Sequence, residues 1–395
     1  MTQPLHIILL IHYSLYSNYG KSMLKFSALI AEGMEKRGHT VEYWKPPVIV
    51  GALGKPVPFL FKWLGYIDQY LIFPLLILWC KRNLPPNSLM VLSDQALGIW
   101  VPFIKNRPHV IHCHDFLALR GSLGEILHHK PSFTGRLYQQ LIRWGFSQGK
   151  CFVSVSNATQ TDLHRFLPAP AELSKVVYNP LNSPFTPFPS HNSWSELKGL
   201  WTGGEGKKFI LHIGSNWYKN RLGVLQIFEQ LAFKEPEIYL VMVSKPTREL
   251  LAWLNNHPQL SAKVIFLQNV SFNQLQSLYS LAEALVFPSL FEGFGWPVLE
   301  ALSCGCPVLT TNAQPMTEVG GDVANYISTY PDSEDEQLNW AKQAADVLQE
   351  VLTIPSDLKE AKKKERINHA GRFSLEHSLL EYERCYQDAI RIAVG

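Results

Sequence analysis

The sequence predicts an α/β fold built as two doubly wound halves. Three observations predict it. Short apolar runs alternate with stretches of helical periodicity along most of the chain, which marks βαβ units and parallel sheets. A proline-dense segment interrupts the alternation near the middle, and the alternation then restarts. The length, 395 residues, suffices for two cores of ordinary size.

The first unit opens at residues 5–12, an apolar run that reads as a strand buried on both faces. A polar loop follows at 13–19. Met23, Phe26, Ile30 and Met34 then recur at helical spacing, Gly38 stops the helix, and residues 40–44 begin the next strand. Residues 109–113 and 151–156 read as further strands. His114 and Asp115 stand at the C-terminal end of the first of these. A helix follows the second, with Asn157 and Gln160 spaced as a capping box. Residues 179–207 are rich in proline and glycine and read as a linker. Beyond them, strands are expected at 209–213, 238–243, 263–267 and 284–288, with helices at 221–233 and 275–282. Residues 374–394 form a long final helix. The domains are therefore drawn at 1–185, 186–373 and 374–395.

Composition narrows the function. The chain is 46% hydrophobic and 17% charged, so it is globular rather than disordered. Its net charge of +3 is far short of a nucleic-acid binder and suits a phosphorylated ligand or an anionic surface. The six cysteines are scattered without zinc-knuckle spacing, and the N-terminal residues lack a basic n-region and a cleavage site. Both features fit a cytoplasmic protein. One run, 71–80, is unusually apolar but about half the length of a membrane span. Two readings stand for it: a buried core segment, or a face that touches lipid with help from Trp63 and Trp79.

The most informative stretch is 287–310, FPSLFEGFGWPVLEALSCGCPVLT. It reads as strand, loop, helix, glycine stop, strand. Pro297 suits the first helical position, which puts Glu292 in the loop and Glu300 near the helix start. Such loops lie at the carboxyl edge of a parallel sheet, where open α/β folds bind ligands. Gly293, Phe294 and Gly295 allow close backbone approach, the helix start offers N–H groups to an anion, and carboxylates accept from paired sugar hydroxyls. Taken singly, Glu292 reads as a solvated loop residue and Glu300 as a helix-dipole partner.

This string resembles the E-x7-E signature of the retaining glycosyltransferases of family 4, which have the GT-B fold. The signature runs from Glu292 to Glu300 with Gly-Phe-Gly between. The resemblance extends to Arg37-Gly-His-Thr-Val41, Ser154-Val-Ser-Asn157, Tyr178-Asn-Pro180 and Phe287-Pro-Ser289. It implies two Rossmann-like domains facing across a cleft, with the final helix crossing back to the first. It implies that Glu300 holds the nucleotide ribose, that Glu292 contacts the transferred sugar, and that Gly293, Phe294, Gly295 and Trp296 line the donor. It also implies a diphosphate-binding lysine, Lys219, with Arg221 standing in for an arginine that relatives carry just before it. Ser244 and Val270 are cleft residues at strand ends. In the N-terminal half, Gly20 would let backbone approach the phosphates and His114 would reach the sugar. Asp115 would orient His114 or face the acceptor. The expected catalytic set is Glu292, His114 and Lys219, with no metal and no cofactor. The donor is a nucleoside-diphosphate sugar, the acceptor a glycan, lipid-linked sugar or small metabolite, and the setting cytoplasmic, with contact at the inner membrane face.

Three other readings compete with this one. A metal-dependent transferase would need a D-x-D at a strand end, and the acidic cluster 332–336 reads as solvated surface. A metallohydrolase would use His112 and His114, which share a strand face, but further ligands are missing at any recognisable spacing. A non-catalytic nucleotide- or sugar-binding protein of the same fold would not need the intact Glu292, Glu300 and Lys219.

Overall fold

A computed structural model describes residues 4–12, 21–54, 57–126, 131–181 and 183–394. The chain divides into two compact units, Met1–Asn182 with Leu375–Gly395, and Ser183–Ser374. Each is built around a six-stranded, all-parallel sheet.

In the first unit the strands are β1 (His6–Leu10), β2 (Thr40–Trp44), β3 (Leu89–Leu92), β4 (His109–Cys113), β5 (Cys151–Ser154) and β6 (Leu173–Val176), in spatial order β2-β1-β3-β4-β5-β6. The order reverses between β1 and β3, so the crevice at their carboxyl ends is this sheet's switch point. β1, β3, β4 and β5 are buried at nearly every position because helices cover both faces. Helix Lys21–Lys36 buries Phe26, Ile30 and Met34 on one face, as their spacing requires. The final helix, Leu375–Val394, packs in the same core through Leu379, Tyr382, Cys385, Tyr386 and Ala389. Arg37 clamps it, pairing with Glu376 and with Glu383 at 2.6 Å.

In the second unit the strands are β7 (Phe209–Ile213), β8 (Tyr239–Val243), β9 (Val264–Leu267), β10 (Ala284–Phe287), β11 (Val308–Thr311) and β12 (Asn325–Ile327), in order β12-β11-β10-β7-β8-β9. Counted from β7 this is the 3-2-1-4-5-6 order of a doubly wound nucleotide fold, with its switch point between β7 and β10. Helices Arg221–Lys234 and Glu334–Leu352 bury Val224, Phe228, Ala344 and Leu348 against the sheet.

Three expectations need correction. The segment read as a linker to residue 207 holds a helix and belongs mostly to the second unit: that unit begins at Ser183, and Ser190–Leu197 is helical. Leu197 and Trp201 are buried there, a helical spacing masked by the flanking prolines and glycines. The helix cap near 157 is Ser156, which accepts from Thr159 N–H, so Asn157 is the first helical residue instead. And the helix after Gly295 starts at Trp296, which makes Pro297 its second residue and carries Glu300 into the second turn.

Candidate functional site

The site assembles at the switch point of the second unit. Two loops meet there, one after β7 and one after β10. The β7 loop leaves the sheet through Gly214, whose φ of +126° only glycine adopts without strain. A Cβ at Gly214 would lie 2.7 Å from Cγ of Lys219, so the bare backbone is also what seats the lysine stem. The loop then closes on Asn220, itself left-handed, whose side chain accepts from Gly223 N–H and starts the helix Arg221–Lys234.

From that seat Lys219 Nζ reaches Glu292 Oε1 in the β10 loop at 2.6 Å. The two side chains are only 12% and 11% exposed. The ammonium also stands 4.7 Å from the centroid of the Phe287 ring, a cation–π contact that partly replaces lost hydration. Ser289 Oγ lies 2.7 Å from the same carboxylate oxygen and 2.9 Å from the Tyr218 carbonyl. Leu290 N–H donates to that carbonyl at 2.8 Å. The two loops are thus stitched to each other around one charge pair.

Eight residues after Glu292, Glu300 is buried, and its Oε2 accepts from the Tyr279 hydroxyl at 2.8 Å. Burial, with the neighbouring carboxylate, pushes the Tyr279 phenol well up, so it remains a donor. Between the two glutamates, Gly295 (φ +103°) turns the chain into the helix Trp296–Ser303, and a Cβ there would strike Met316 at 2.4 Å. Phe294 is buried against Phe373, with ring centroids 5.9 Å apart.

Of the remaining expected residues in this unit, Ser244 directly follows β8 with its hydroxyl buried and without a hydrogen-bond partner, an unmet donor at the carboxyl edge. Arg221 donates to the Lys245 carbonyl at 2.9 Å, so its guanidinium ties the β7 and β8 loops together. Val270 is half-buried in the turn between β9 and the helix Phe272–Leu281.

His212, in β7, was missed by sequence reasoning. Its Nδ1–H donates to the Val286 carbonyl of β10 at 2.9 Å, while Nε2 is buried and unpartnered. Burial pushes its pKa down to about 4, so it is neutral beneath the charge pair. Only its place inside a strand flanking the switch point marks it.

In the first unit, His114 is buried, its Nε2 2.9 Å from the Ser93 carbonyl and its ring edge-on to Phe26. Burial lowers its pKa. The Asp115 carboxylate accepts from Leu117 N–H at 3.0 Å. His112, its partner in the metallohydrolase reading, is bonded to the Tyr386 hydroxyl at 2.8 Å. Gly20, and the loop that holds it, lie outside the described residues. The sequence reading also passed over His12 and Asp94, which meet at 3.0 Å across the β1–β3 switch point. Burial raises Asp94, but the hydrogen bond from His12 and its charge outweigh this and hold the carboxyl below its usual range. Eighty-two residues separate the two, so no local motif signals the pair.

Comparison with known proteins adds to this geometry. Residues 201–367 match the model described as glycosyl transferases group 1, and residues 28–183 match glycosyltransferase family 4. The O-antigen chain mannosyltransferase RfbU of Salmonella typhimurium is 25% identical over 59% of this chain and 59% of its own length. O-antigen chain mannosyltransferase B of Escherichia coli is 26% identical over 49% of this chain and 51% of its own. The chain therefore spans under two thirds of both relatives. An uncharacterized glycosyltransferase of Methanocaldococcus jannaschii is 27% identical over 78% of this chain and 80% of its own. Among solved structures, Anabaena HepE in complex with UDP and glucose superposes with a TM-score of 0.63 at 17% identity, covering 96% of this chain and 98% of that one. Sucrose-phosphate synthase from Thermosynechococcus elongatus gives 0.66 at 16% identity over 99% and 100%.

Proposed function

The chain belongs to the family 4 glycosyltransferases, with their two-domain GT-B fold, and from that premise we propose that it transfers a hexose from a nucleoside-diphosphate sugar to a hydroxyl of a growing glycan, with retention at the anomeric carbon. Mannose is the sugar we favour, because RfbU and its Escherichia coli counterpart are named as mannosyltransferases of O-antigen chains. The observation that carries the reading is the Lys219–Glu292 pair at the switch point, with Glu300 buried on the adjoining helix.

That arrangement supplies the parts such a transfer needs. Glu300 accepts from the ribose hydroxyls, and Tyr279 holds it in place. Lys219 exchanges its carboxylate partner for the donor's diphosphate and neutralises the departing phosphate. Glu292, so released, accepts from hydroxyls of the sugar. It is held against Lys219 and Ser289 rather than poised as a nucleophile. We therefore assign attack on the same face the leaving group departs from, with the leaving phosphate taking the acceptor's proton. The lysine does the electrostatic work without a resident metal.

The test is nucleotide release and glycan product formation over GDP-, UDP- and ADP-sugars in EDTA, with the product's anomeric configuration read by NMR. Retained configuration with one donor, and loss in Glu300→Ala, supports the proposal. Inverted product, or activity abolished by EDTA, overturns the mechanism. A chain that binds nucleotide but turns over no donor with any glycan acceptor would be a non-catalytic binding protein.

A further inference from the structure

The first unit carries an apolar face that its own fold leaves uncovered. Residues from Pro58 to Cys80 form two α-helical segments, Pro58–Ile67 and Phe73–Cys80, joined by a π-helical turn, Asp68–Ile72. Phe59, Trp63, Ile67, Leu71, Leu75 and Trp79 recur along it every fourth residue and all are exposed, Leu75 by 60% and Trp79 by 65%. In an α-helix that repeat precesses ~40° per step. Over the five steps that is about 200°; the π-turn holds one residue more per turn and takes back about 100°, which halves the drift and keeps the row within roughly 100° of arc.

A second helix, Phe133–Phe146, repeats the pattern with Phe133, Leu137, Leu141 and Trp144, and Phe133 is 82% exposed. The helices are neighbours: the Tyr70 and Tyr138 hydroxyls hydrogen-bond at 2.8 Å. Their opposite sides are fixed to the core. Phe73 and Ile77 are buried, and Trp100 Nε1–H donates to the Gln69 carbonyl in the π-turn at 3.0 Å. The segment is long and apolar enough to cross a bilayer, but a helix anchored along one side lies on a surface instead.

Charge names the occupant. Residues 58–83 and 133–146 hold five basic residues (Lys62, Lys81, Arg82, Arg136, Arg143) and one acidic residue, Asp68. Asp68 is withdrawn from the surface, accepting from the N–H groups of Ile49, Val50 and Gly51. Exposed tryptophans and aliphatics in segments with an excess of basic residues are what an anionic bilayer interface binds. We propose that this two-helix face docks on a membrane bearing anionic lipid.

The test is flotation of the full chain with phosphatidylcholine vesicles, with and without phosphatidylglycerol, alongside sedimentation to fix the oligomeric state. It needs no turnover, so its outcome is separate from that of the transfer reaction. Binding that requires the anionic lipid, weakens in salt, and falls about tenfold or more in Trp63→Ser/Trp79→Ser/Trp144→Ser is expected. Arg82→Glu/Arg136→Glu, at two exposed positions, should weaken it with the melting temperature unchanged. Wild-type protein that stays down with anionic vesicles overturns the proposal. So does binding that the tryptophan and charge variants leave intact, or a dimer that only the tryptophan variants dissociate.

Discussion

Lys219→Met keeps an aliphatic stem against Gly214 and removes the charge. At 2.6 Å two unit charges attract by about 6 kcal/mol at an effective dielectric of ~20. Desolvation offsets several kcal/mol for each ion, so the intact pair adds little net stability. Breaking it is another matter. The variant leaves the Glu292 carboxylate nearly buried, with Ser289 as its remaining partner at 2.7 Å. Truncating one member of a fully buried pair costs ~3–5 kcal/mol. The residual exposure of both side chains brings the expectation to about 2 kcal/mol. For a domain of this size that lowers the melting temperature by roughly 4–8 °C. Lys219→Met/Glu292→Gln removes the stranded charge and should recover at least half of the loss. Thermal unfolding followed by circular dichroism reads both. A single variant that melts with the wild type, or a double variant whose loss is the sum of the two singles, refutes the reasoning.

Gly214→Ala should destabilise by ~1–2 kcal/mol through the positive φ and the contact with Lys219, with a larger loss of donor affinity than of stability; urea unfolding and nucleotide titration read the two separately. Tyr279→Phe leaves Glu300 without its phenol donor and should cost about 1–3 kcal/mol while keeping the fold, as denaturant midpoints will show. His212 makes stability depend on pH. Its folded pKa, about 4, lies below the ordinary value near 6.5. The unfolded chain therefore binds the extra proton, and the stability present above pH 6.5 is lost as pH falls towards 4. The loss approaches ~3 kcal/mol. His112, pushed down to about 3 by burial, acts in the same direction. His212→Asn should flatten the urea midpoint between pH 6.5 and 5 relative to wild type, and an unchanged slope would contradict the assignment.

What the sequence revealed follows from how local each signal is. The residue 287–310 segment was legible because strand, turn, glutamates and helix are consecutive. The turn at Gly295 and the buried Glu300 on the following helix are features of one short stretch. The final helix was legible from its own periodicity. The strands Leu173–Val176 and Asn325–Ile327 were not, being short and mixed in polarity. The Lys219–Glu292 contact spans 73 residues and exists only because β7 and β10 are neighbours in the sheet. Residues 71–80 defeated a single reading because the segment has two faces: Phe73 and Ile77 face the core while Leu75 and Trp79 face outward. His12 and Asp94 fall to the same limit, since tertiary pairing leaves no mark in either local window.

We assign the donor's nucleoside diphosphate to the switch point of the second unit, held by Glu300 and Lys219. Calorimetric titration of GDP and UDP into the wild type, Glu300→Ala and Lys219→Met decides the assignment. One nucleotide should bind the wild type one to one and bind each variant at least about tenfold more weakly, ~1.4 kcal/mol or more. Variants that bind as tightly as the wild type would place the donor elsewhere and contradict the account.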